Sequence, residues 1–282
     1  METLALNSVS SSEIIKSEEL QSKIETLEQK SKEMDESIRY AGRLQQSILP
    51  NEVLFKNSFN DAFVFFQPKD VVSGDFYWIY LHGNDIYFAV GDCTGHGVPG
   101  ALVNIAGNTA LRQIIRTEGL SDPAQILKQL NDEMVSLFNE NLTDGNRRDG
   151  MEIALCKFNL ASGVGQFCGA GRPLILIREG ELIEFKKGRS SIGYDENDQK
   201  DFETVEFMLE KEDSFYIFSD GYTDQFGGEN VKKFNRKRFR NLLLSIQDKR
   251  MDAQRKELSF AYNNWKGSQE QIDDVCVIGI RV

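Results

Sequence analysis

Two aspartates, Asp75 and Asp92, stand at the outer ends of two aromatic-rich runs, FYWIYL and DIYFAVG, that are separated by a turn at residues 82–85. Such runs, bounded by glycine and asparagine, are typical of a β-hairpin. Counting outward from the turn places Asp75 directly opposite Asp92, with their Cβ atoms about 5 Å apart. Like charges in that position are destabilising unless a cation lies between or beside them. The spacing therefore favours a divalent metal site, although an ordinary hairpin with polar residues at its open end would have the same register.

Further carboxylates lie at the ends of two other predicted strands. Asp220 follows the run FYIFS, and Asp273 and Asp274 precede VCVIGIRV. If these strands are antiparallel neighbours, Asp220 and Asp273 share one rim of the sheet. Together with the first pair they form an all-oxygen ligand set of the kind that suits Mg²⁺ or Mn²⁺. Two such ions can lower the pKa of a bridging water and clamp a phosphoryl group, so that no protein nucleophile is required. The spacing alone leaves phosphoester hydrolysis and nucleotidyl chemistry both open.

A sheet-rich domain must position these carboxylates. Ten or more short strands, mostly joined as hairpins, are predicted after residue 60, and hairpins imply antiparallel sheets. Two helices are predicted within residues 98–138 and two more within residues 239–265. Helices grouped outside the strand runs indicate an α+β fold with helices layered on antiparallel sheets, rather than a doubly wound parallel sheet.

The segment ahead of this domain carries a heptad repeat. From Leu20 to Ile48, apolar residues recur in steps of four and three over about four heptads, which predicts a coiled coil joining two chains as a parallel homodimer. Ser31 and Gln45 are polar a positions, which weaken such a pair but can fix its register. The alternative is one amphipathic helix packed on its own domain. We expect three segments: a disordered, serine-rich start at 1–12, the helix or coiled coil at 13–50, and the globular domain at 51–282.

Composition narrows the class of partner. The 282 residues include 33 basic and 44 acidic side chains, a net charge of −11, which argues against nucleic acid or an anionic membrane as the main partner. No signal peptide and no apolar run of membrane length is evident, so we expect no membrane insertion. The four cysteines, with no CxxC pair and only two histidines in the chain, do not suit a zinc cluster. A reduced, cytoplasmic location is the simplest expectation.

The motifs SGDFYW, GDCTGHGVPGA, GAGRP, SDGYTD and DDV occur in this order along the chain. Jointly they resemble the SpoIIE/RsbU-type branch of the PPM (type 2C) metal-dependent serine/threonine protein phosphatases, over about residues 38–282. The resemblance implies two stacked antiparallel sheets flanked by helices, an αββα sandwich, which agrees with the independent count of elements. It also implies hydrolysis of phosphoserine or phosphothreonine with two Mn²⁺ or Mg²⁺ ions as cofactors.

The same resemblance implies a role for each motif residue. Asp92 would bridge both metal ions, and the backbone carbonyl of Cys93 would bind one of them. Asp220 and Asp273 would complete the ligands of one ion, and Asp75 would serve the other, partly through water. Asp274, which follows Asp273, is expected on the opposite strand face in a structural role.

Three residues near these motifs have alternative roles. His96 either donates a proton to the leaving group or, as we favour, only shapes the GHG loop. Arg172 stands where relatives commonly have histidine, and it either meets a phosphate or supports the turn. Asp149 lies near the place where some relatives hold a third metal ion, but the local sequence matches poorly.

Relatives of this branch dephosphorylate a STAS-domain antagonist of an anti-sigma factor and are commonly switched by an N-terminal helix or sensor. The resemblance therefore implies a phosphorylated STAS-domain protein as partner, with the N-terminal helix as the regulatory input. Two other classes stay open: a catalytically weak phosphatase-fold scaffold that binds a phosphoprotein, and another two-metal phosphoesterase such as a nucleotide phosphodiesterase.

Overall fold

The computed structural model describes residues 2–139, 149–186, 188, 190–193 and 202–282. The chain divides into two units, Met1–Leu44 and Gln45–Val282. The polar run NLTDGNRRDG at residues 141–150 predicts a loop, and most of it lies outside the described residues. Among the helices that are described, none combines the length and the apolar composition needed to cross a membrane.

The first unit is formed by one long helix, α1 (Glu2–Ile48), whose residues 45–48 belong to the second unit. Residues 2–12 are helical, whereas their composition predicts disorder; this stretch has no glycine or proline to oppose a helix. Along the single chain, the heptad positions Leu20, Leu27 and Met34 are 59%, 66% and 65% exposed. An apolar stripe is therefore available on α1, and pairing of two chains through residues 20–48 stays a prediction.

The second unit contains two antiparallel sheets and a small ribbon. In spatial order, the first sheet consists of β1 (Asp61–Gln67), β13 (Val275–Arg281), β10 (Ser214–Phe218), β6 (Leu174–Arg178) and β7 (Glu181–Phe185). The second sheet consists of β2 (Asp75–His82), β3 (Asp85–Cys93), β4 (Gly150–Asn159), β5 (Val164–Ala170) and β9 (Val205–Met208), with β8 (Ile192–Gly193) beside β4. The ribbon consists of β11 (Phe226–Gly227) and β12 (Lys232–Lys233).

Helices cover the outer face of each sheet. On the second sheet lie α3 (Gly97–Gln113), which continues into a π-helical turn at Ile114–Glu118, and α4 (Pro123–Asn139). On the first sheet lie α6 (Arg236–Ile246) and α7 (Met251–Lys266). Two short helices, α2 (Glu52–Ser58) and α5 (Gly221–Asp224), complete the unit. The predicted α+β fold, with stacked antiparallel sheets between helical layers, is confirmed.

The layer between the sheets is rich in aromatic rings. Phe158 of β4 is fully buried, and its ring centroid lies 4.9 Å from that of Phe88, 4.8 Å from Phe215, 6.0 Å from Phe207 and 6.3 Å from Phe59. Such edge-to-face ring pairs add to the free energy gained from burial alone. Because Phe158 belongs to the second sheet and Phe215 to the first, this cluster fixes the two sheets relative to each other.

We predict that Phe158→Ala lowers the free energy of unfolding by ~3–5 kcal/mol, because it removes a buried ring and leaves a cavity between the sheets. Phe260→Ala on α7 is the matched control: this ring is 65% exposed, so a change within about 0.5 kcal/mol is expected. Urea unfolding followed by tryptophan fluorescence measures both. Equal effects from the two substitutions would contradict the assigned packing.

Candidate functional site

The hairpin register predicted from the sequence is confirmed. β2 and β3 pair antiparallel with His82 opposite Asp85 at the turn and Asp75 opposite Asp92 at the other end. The next strand continues the row, because Glu152 of β4 lies opposite Asp92. Three carboxylates thus cross three neighbouring strands at one rim of the second sheet. Sequence reasoning missed Glu152, whose only signal was an acidic residue near the start of a mostly apolar strand.

The first sheet contributes its own carboxylates to the same rim. β10 and β13 are antiparallel neighbours, with Phe218 opposite Val277, so Asp220 beyond the end of β10 lies near Asp273 ahead of β13. The backbone N–H of Asp220 donates to Asp92 Oδ2 at 3.5 Å, which brings the rims of the two sheets together. The predicted juxtaposition of Asp220 and Asp273 is therefore confirmed.

A pocket of about 310 Å³ opens at this rim. Its lining includes Asp92, Cys93, Asp220 and Asp273, which are four of the five predicted metal-binding residues. The fifth, Asp75, is only 2% exposed and lies outside the lining of the pocket. The structure thus gathers the predicted residues, with one carboxylate held deeper than the others.

A buried polar network holds the backbone ahead of Asp75. Gln45, in the last turn of α1, donates from Nε2 to the carbonyl of Ser73 at 2.6 Å and accepts from the N–H of Ser73 at 2.9 Å. Asn104 of α3 donates to the carbonyl of Ser73 at 3.1 Å and to that of Asp75 at 2.8 Å. Gln45 therefore has a different role from the polar coiled-coil position that the heptad pattern predicts: its amide is 4% exposed and fixes the start of β2.

Asp274 braces the same segment from the other side. Its carboxylate accepts from the N–H of Lys69 at 2.7 Å and from the N–H of Gly74 at 2.8 Å, and it is 2% exposed. These bonds agree with the structural role expected for it. Gly74 is required here, because a Cβ at this position would lie 2.6 Å from the carbonyl oxygen of Gly95.

The loop after Asp92 is tied to its surroundings by polar contacts. The N–H of Thr94 donates to the carbonyl of Gly150 at 2.8 Å, which places Asp149 beside this loop. His96 Nδ1 lies 2.9 Å from Asp70 Oδ2, and His96 Nε2 lies 3.2 Å from Lys69 Nζ. His96 is thus hydrogen-bonded locally, as the loop-shaping interpretation requires.

Arg172, between β5 and β6, provides a positive charge at this rim. Its Nη2 lies 2.5 Å from Asp92 Oδ2 and 2.8 Å from Asp220 Oδ2. Its Nε lies 2.9 Å from Glu152 Oε2, close enough for charge attraction but without the alignment of a hydrogen bond. Although burial alone would lower it, the pKa of Arg172 is raised by Asp92, Asp220 and Glu152.

Burial sets the electrostatics of the carboxylates. It raises the pKa of Asp75 well above its usual range, with further increases from Asp92 and other carboxylates nearby. Burial raises the pKa of Asp92 to about 7, despite the opposing effect of Arg172. Burial also raises the pKa of Asp273. In all three cases burial is the largest cause, and neighbouring carboxylates add to it.

These features fit divalent cations of the Mg²⁺ or Mn²⁺ type. The donors are carboxylate oxygens and a backbone carbonyl, and the buried Oδ2 of Asp75 has no hydrogen-bond partner. Within the described ranges, no three His, Cys, Asp or Glu side chains already converge as a formed metal site. Two of these carboxylates, Asp92 and Asp220, are in contact with Arg172.

Comparisons with known proteins agree with this geometry. Residues 82–282 match the family model of Stage II sporulation protein E (SpoIIE). Comparison with curated protein sequences finds no match. Among solved structures, the SiaA-PP2C domain of Pseudomonas aeruginosa aligns with a TM-score of 0.80 and 29% identity, over 89% of this chain and 98% of that chain.

Two more distant structures share the fold. The PP2C phosphatase domain of SpoIIE from Bacillus subtilis, solved with a fragment of its regulatory domain, aligns with a TM-score of 0.63 and 21% identity, over 79% of this chain and 63% of that chain. RsbX in complex with magnesium aligns with a TM-score of 0.55 and 18% identity, over 78% of this chain and 94% of that chain.

We predict that the chelator-treated protein loses stability as the pH rises, through the Asp92 carboxyl. Its folded-state pKa of about 7 lies above the ordinary value of 3.8, so its contribution is fully present below about pH 4 and is lost as the pH rises through about 7. Asp92→Asn mimics the protonated form. The melting temperature of the variant, relative to that of the unmodified protein, should therefore rise between about pH 5 and pH 8.

Thermal unfolding in EDTA at several pH values measures this difference. Phe260→Ala, which changes an exposed ring on α7 and removes no titrating group, is the control and should show a constant difference from the unmodified protein. A constant difference for Asp92→Asn as well would contradict the raised pKa.

Proposed function

The chain belongs to the SpoIIE family, within the SpoIIE/RsbU branch of the PPM serine/threonine phosphatases, and we propose that it removes phosphate from phosphoserine or phosphothreonine on a partner protein. The observation that carries the proposal is the convergence of Asp92, Asp220 and Asp273 on one pocket, with Asp75 directly opposite Asp92 on the neighbouring strand. These residues are contributed by four strand ends on two sheets. A plain structural role would not require this accumulation of like charge.

Each group of the chain at this site has a separate role. Asp75 and Asp92 from the hairpin, Asp220 and Asp273 from the first sheet, and the carbonyl of Cys93 would hold two Mn²⁺ or Mg²⁺ ions. Such ions, when bound, lower the pKa of a water and stabilise charge on a phosphoryl group. The buried network around Ser73 keeps Asp75 in place, and the pocket leaves room for a phosphorylated side chain to enter from solvent.

A phosphorylated STAS-domain protein is the partner that we propose. The support is the resemblance of the motifs to the branch that acts on such proteins, and the exposed pocket suits a side chain presented by a folded protein. The cytoplasmic location expected from the cysteine pattern belongs to the same proposal; all four cysteines are free and buried.

A catalytically weak phosphatase-fold scaffold is the second candidate. The observation that favours it is the guanidinium of Arg172, which contacts Asp92 and Asp220, two of the residues that an ion would need. In this case the protein would bind a phosphorylated partner but release phosphate slowly at any Mn²⁺ concentration.

We further propose that α1 regulates the site. Its exposed heptad positions supply an apolar stripe for pairing two chains, and its last turn carries Gln45, which is bonded to Ser73. Only one residue, Gly74, separates Ser73 from Asp75. A shift of the last turn of α1 would therefore change the position of Asp75 and the affinity for metal, at an energy on the order of 1–3 kcal/mol.

We predict that Asp92→Asn lowers Mn²⁺-dependent turnover by at least about hundredfold while the fold is retained, because the amide cannot supply the charge that two ions require. Hydrolysis is measured with an aryl phosphate, a phosphothreonine peptide and a cyclic nucleotide, each with Mn²⁺ and with chelator. Asp85→Asn, at the turn end of the same hairpin, is the control and should keep its activity.

Each class of function gives a different pattern in this panel. Activity on the monoesters alone supports the phosphatase, and activity confined to the cyclic nucleotide indicates a phosphodiesterase. Binding of the phosphopeptide without measurable release of phosphate favours the scaffold. Near-normal turnover by Asp92→Asn would show that the site has been assigned wrongly.

We predict that Gln45→Met raises the Mn²⁺ concentration needed for half-maximal activity by about tenfold, because it removes both bonds to Ser73 while keeping the side-chain volume. Gln46→Met, at the exposed neighbouring position, is the matched control and should leave the titration unchanged. Thermal unfolding of both variants with saturating Mn²⁺ verifies that they are folded.

A second variant tests whether pairing of α1 is connected to the site. Ser31→Ile should tighten the dimer in sedimentation and shift the Mn²⁺ titration of activity. A monomer at tens of micromolar, or an unchanged titration in a tightened dimer, would leave α1 as a passive tether. The phosphatase assignment would stand in either case.

A further inference from the structure

The side chain of Arg172 has no part in the hydrolysis proposed above. It is only 5% exposed, although it belongs to the connection between β5 of the second sheet and β6 of the first. The neighbouring Gly171 has a φ of +78°, and a Cβ there would lie 2.5 Å from the Glu152 side chain. The backbone is thus specialised to bring this guanidinium beneath the rim.

The contacts of Arg172 join the two sheets. One nitrogen, Nη2, bonds to Asp92 of the second sheet and to Asp220 beyond the first, at 2.5 and 2.8 Å. The same side chain faces Glu152 through Nε at 2.9 Å. Among the described residues that line this pocket, Arg172 is the one lysine or arginine against four carboxylates, Asp92, Glu152, Asp220 and Asp273.

We propose that Arg172 is an internal counter-ion that holds Asp92 and Asp220 together in the metal-free protein and competes with a divalent ion for them. A guanidinium stays charged at any pH at which the protein is folded, so it reduces carboxylate repulsion without a proton. An ion that takes the same carboxylates must displace these bonds or bind beside a positive charge, and both lower its affinity. The inference rests on the proposed metal dependence and adds a limit on how easily the site is loaded.

The competition has two separable consequences. Without the guanidinium, the carboxylates face each other unpaired, so the metal-free protein should be less stable. An added ion meets no competing cation, so metal affinity should be higher. A residue that merely supported the turn would affect stability alone, and a residue that positioned the metal ligands would lower the affinity when it is removed.

The test compares Arg172→Met with the unmodified protein by calorimetric titration of Mn²⁺ at about pH 8, where carboxyl protonation interferes least. Arg178→Met is the matched control, because Arg178 is also paired with carboxylates, Asp213 and Glu210, but lies outside the pocket. We expect Arg172→Met to bind Mn²⁺ about tenfold more tightly or better, and to melt at a lower temperature in EDTA. Arg178→Met should melt lower with unchanged Mn²⁺ affinity.

Equal or weaker binding of Mn²⁺ by Arg172→Met, or the absence of binding in both proteins, would overturn the inference. Arg172→Lys keeps the positive charge but not the contact with both carboxylates. A Mn²⁺ affinity between those of the unmodified protein and Arg172→Met supports competition between this charge and the metal ion. Failure of the proposed function has a different signature: Mn²⁺ binds, but neither protein hydrolyses the phosphomonoesters. In that case the ratio of the two Mn²⁺ affinities still decides the role of Arg172.

Discussion

Repulsion among clustered carboxylates, of which Asp75 is buried, is the constraint on which the rest of this structure depends. Asp75, Asp92 and Glu152 lie in one row across three strands, and Asp220 and Asp273 approach the row from the other sheet. Burial alone already raises the pKa of Asp75 and Asp92. Asp92 raises the pKa of Asp75 further, and Asp220 and Asp273 raise that of Asp92. Such a cluster is stable only if the surrounding fold is rigid enough to keep these like charges close together.

The rigidity comes from hydrogen bonds and close contacts that hold the backbone ahead of Asp75. Ser73 is held on both its N–H and its carbonyl by Gln45, and the N–H of Gly74 is held by Asp274. The carbonyl of Gly95 fills the space that a Cβ on Gly74 or Gly100 would need. The aromatic layer around Phe158 then fixes the two sheets to each other. Charges that would separate in a softer scaffold are therefore kept at one rim.

The parts of the site that follow from local pattern could be predicted from the sequence. The pairing of Asp75 with Asp92 is set by counting from a turn, because side chains in a hairpin have a strict period. The closeness of Asp220 and Asp273 needed one further assumption, that two apolar runs are antiparallel neighbours. The stacked sheets and the outer helices followed from the order of hairpins and helices along the chain.

The parts that depend on distant residues could not be predicted in this way. Gln45 fits the heptad pattern of α1, and nothing local indicates that its amide reaches Ser73, 28 residues later. Arg172 is 80 residues from Asp92 and 48 from Asp220 along the chain. The two roles considered for it from the sequence, contact with a phosphate and support of the turn, do not include a bridge between carboxylates. Periodicity assigns a residue to a face of an element, whereas these partners are decided by how the elements meet.

Two different side chains thus affect the carboxylate rim, each by a different kind of interaction. Gln45 reaches it through the backbone of Ser73, so its effect is on the position of Asp75. Arg172 reaches it through charge, so its effect is on Asp92 and Asp220. Asp75 and Asp92 lie directly opposite each other. A displacement of Asp75 therefore changes the repulsion at Asp92 that Arg172 offsets. If α1 regulates the site as proposed, a modest change in its last turn would shift the balance between guanidinium and metal ion without any large movement of the sheets.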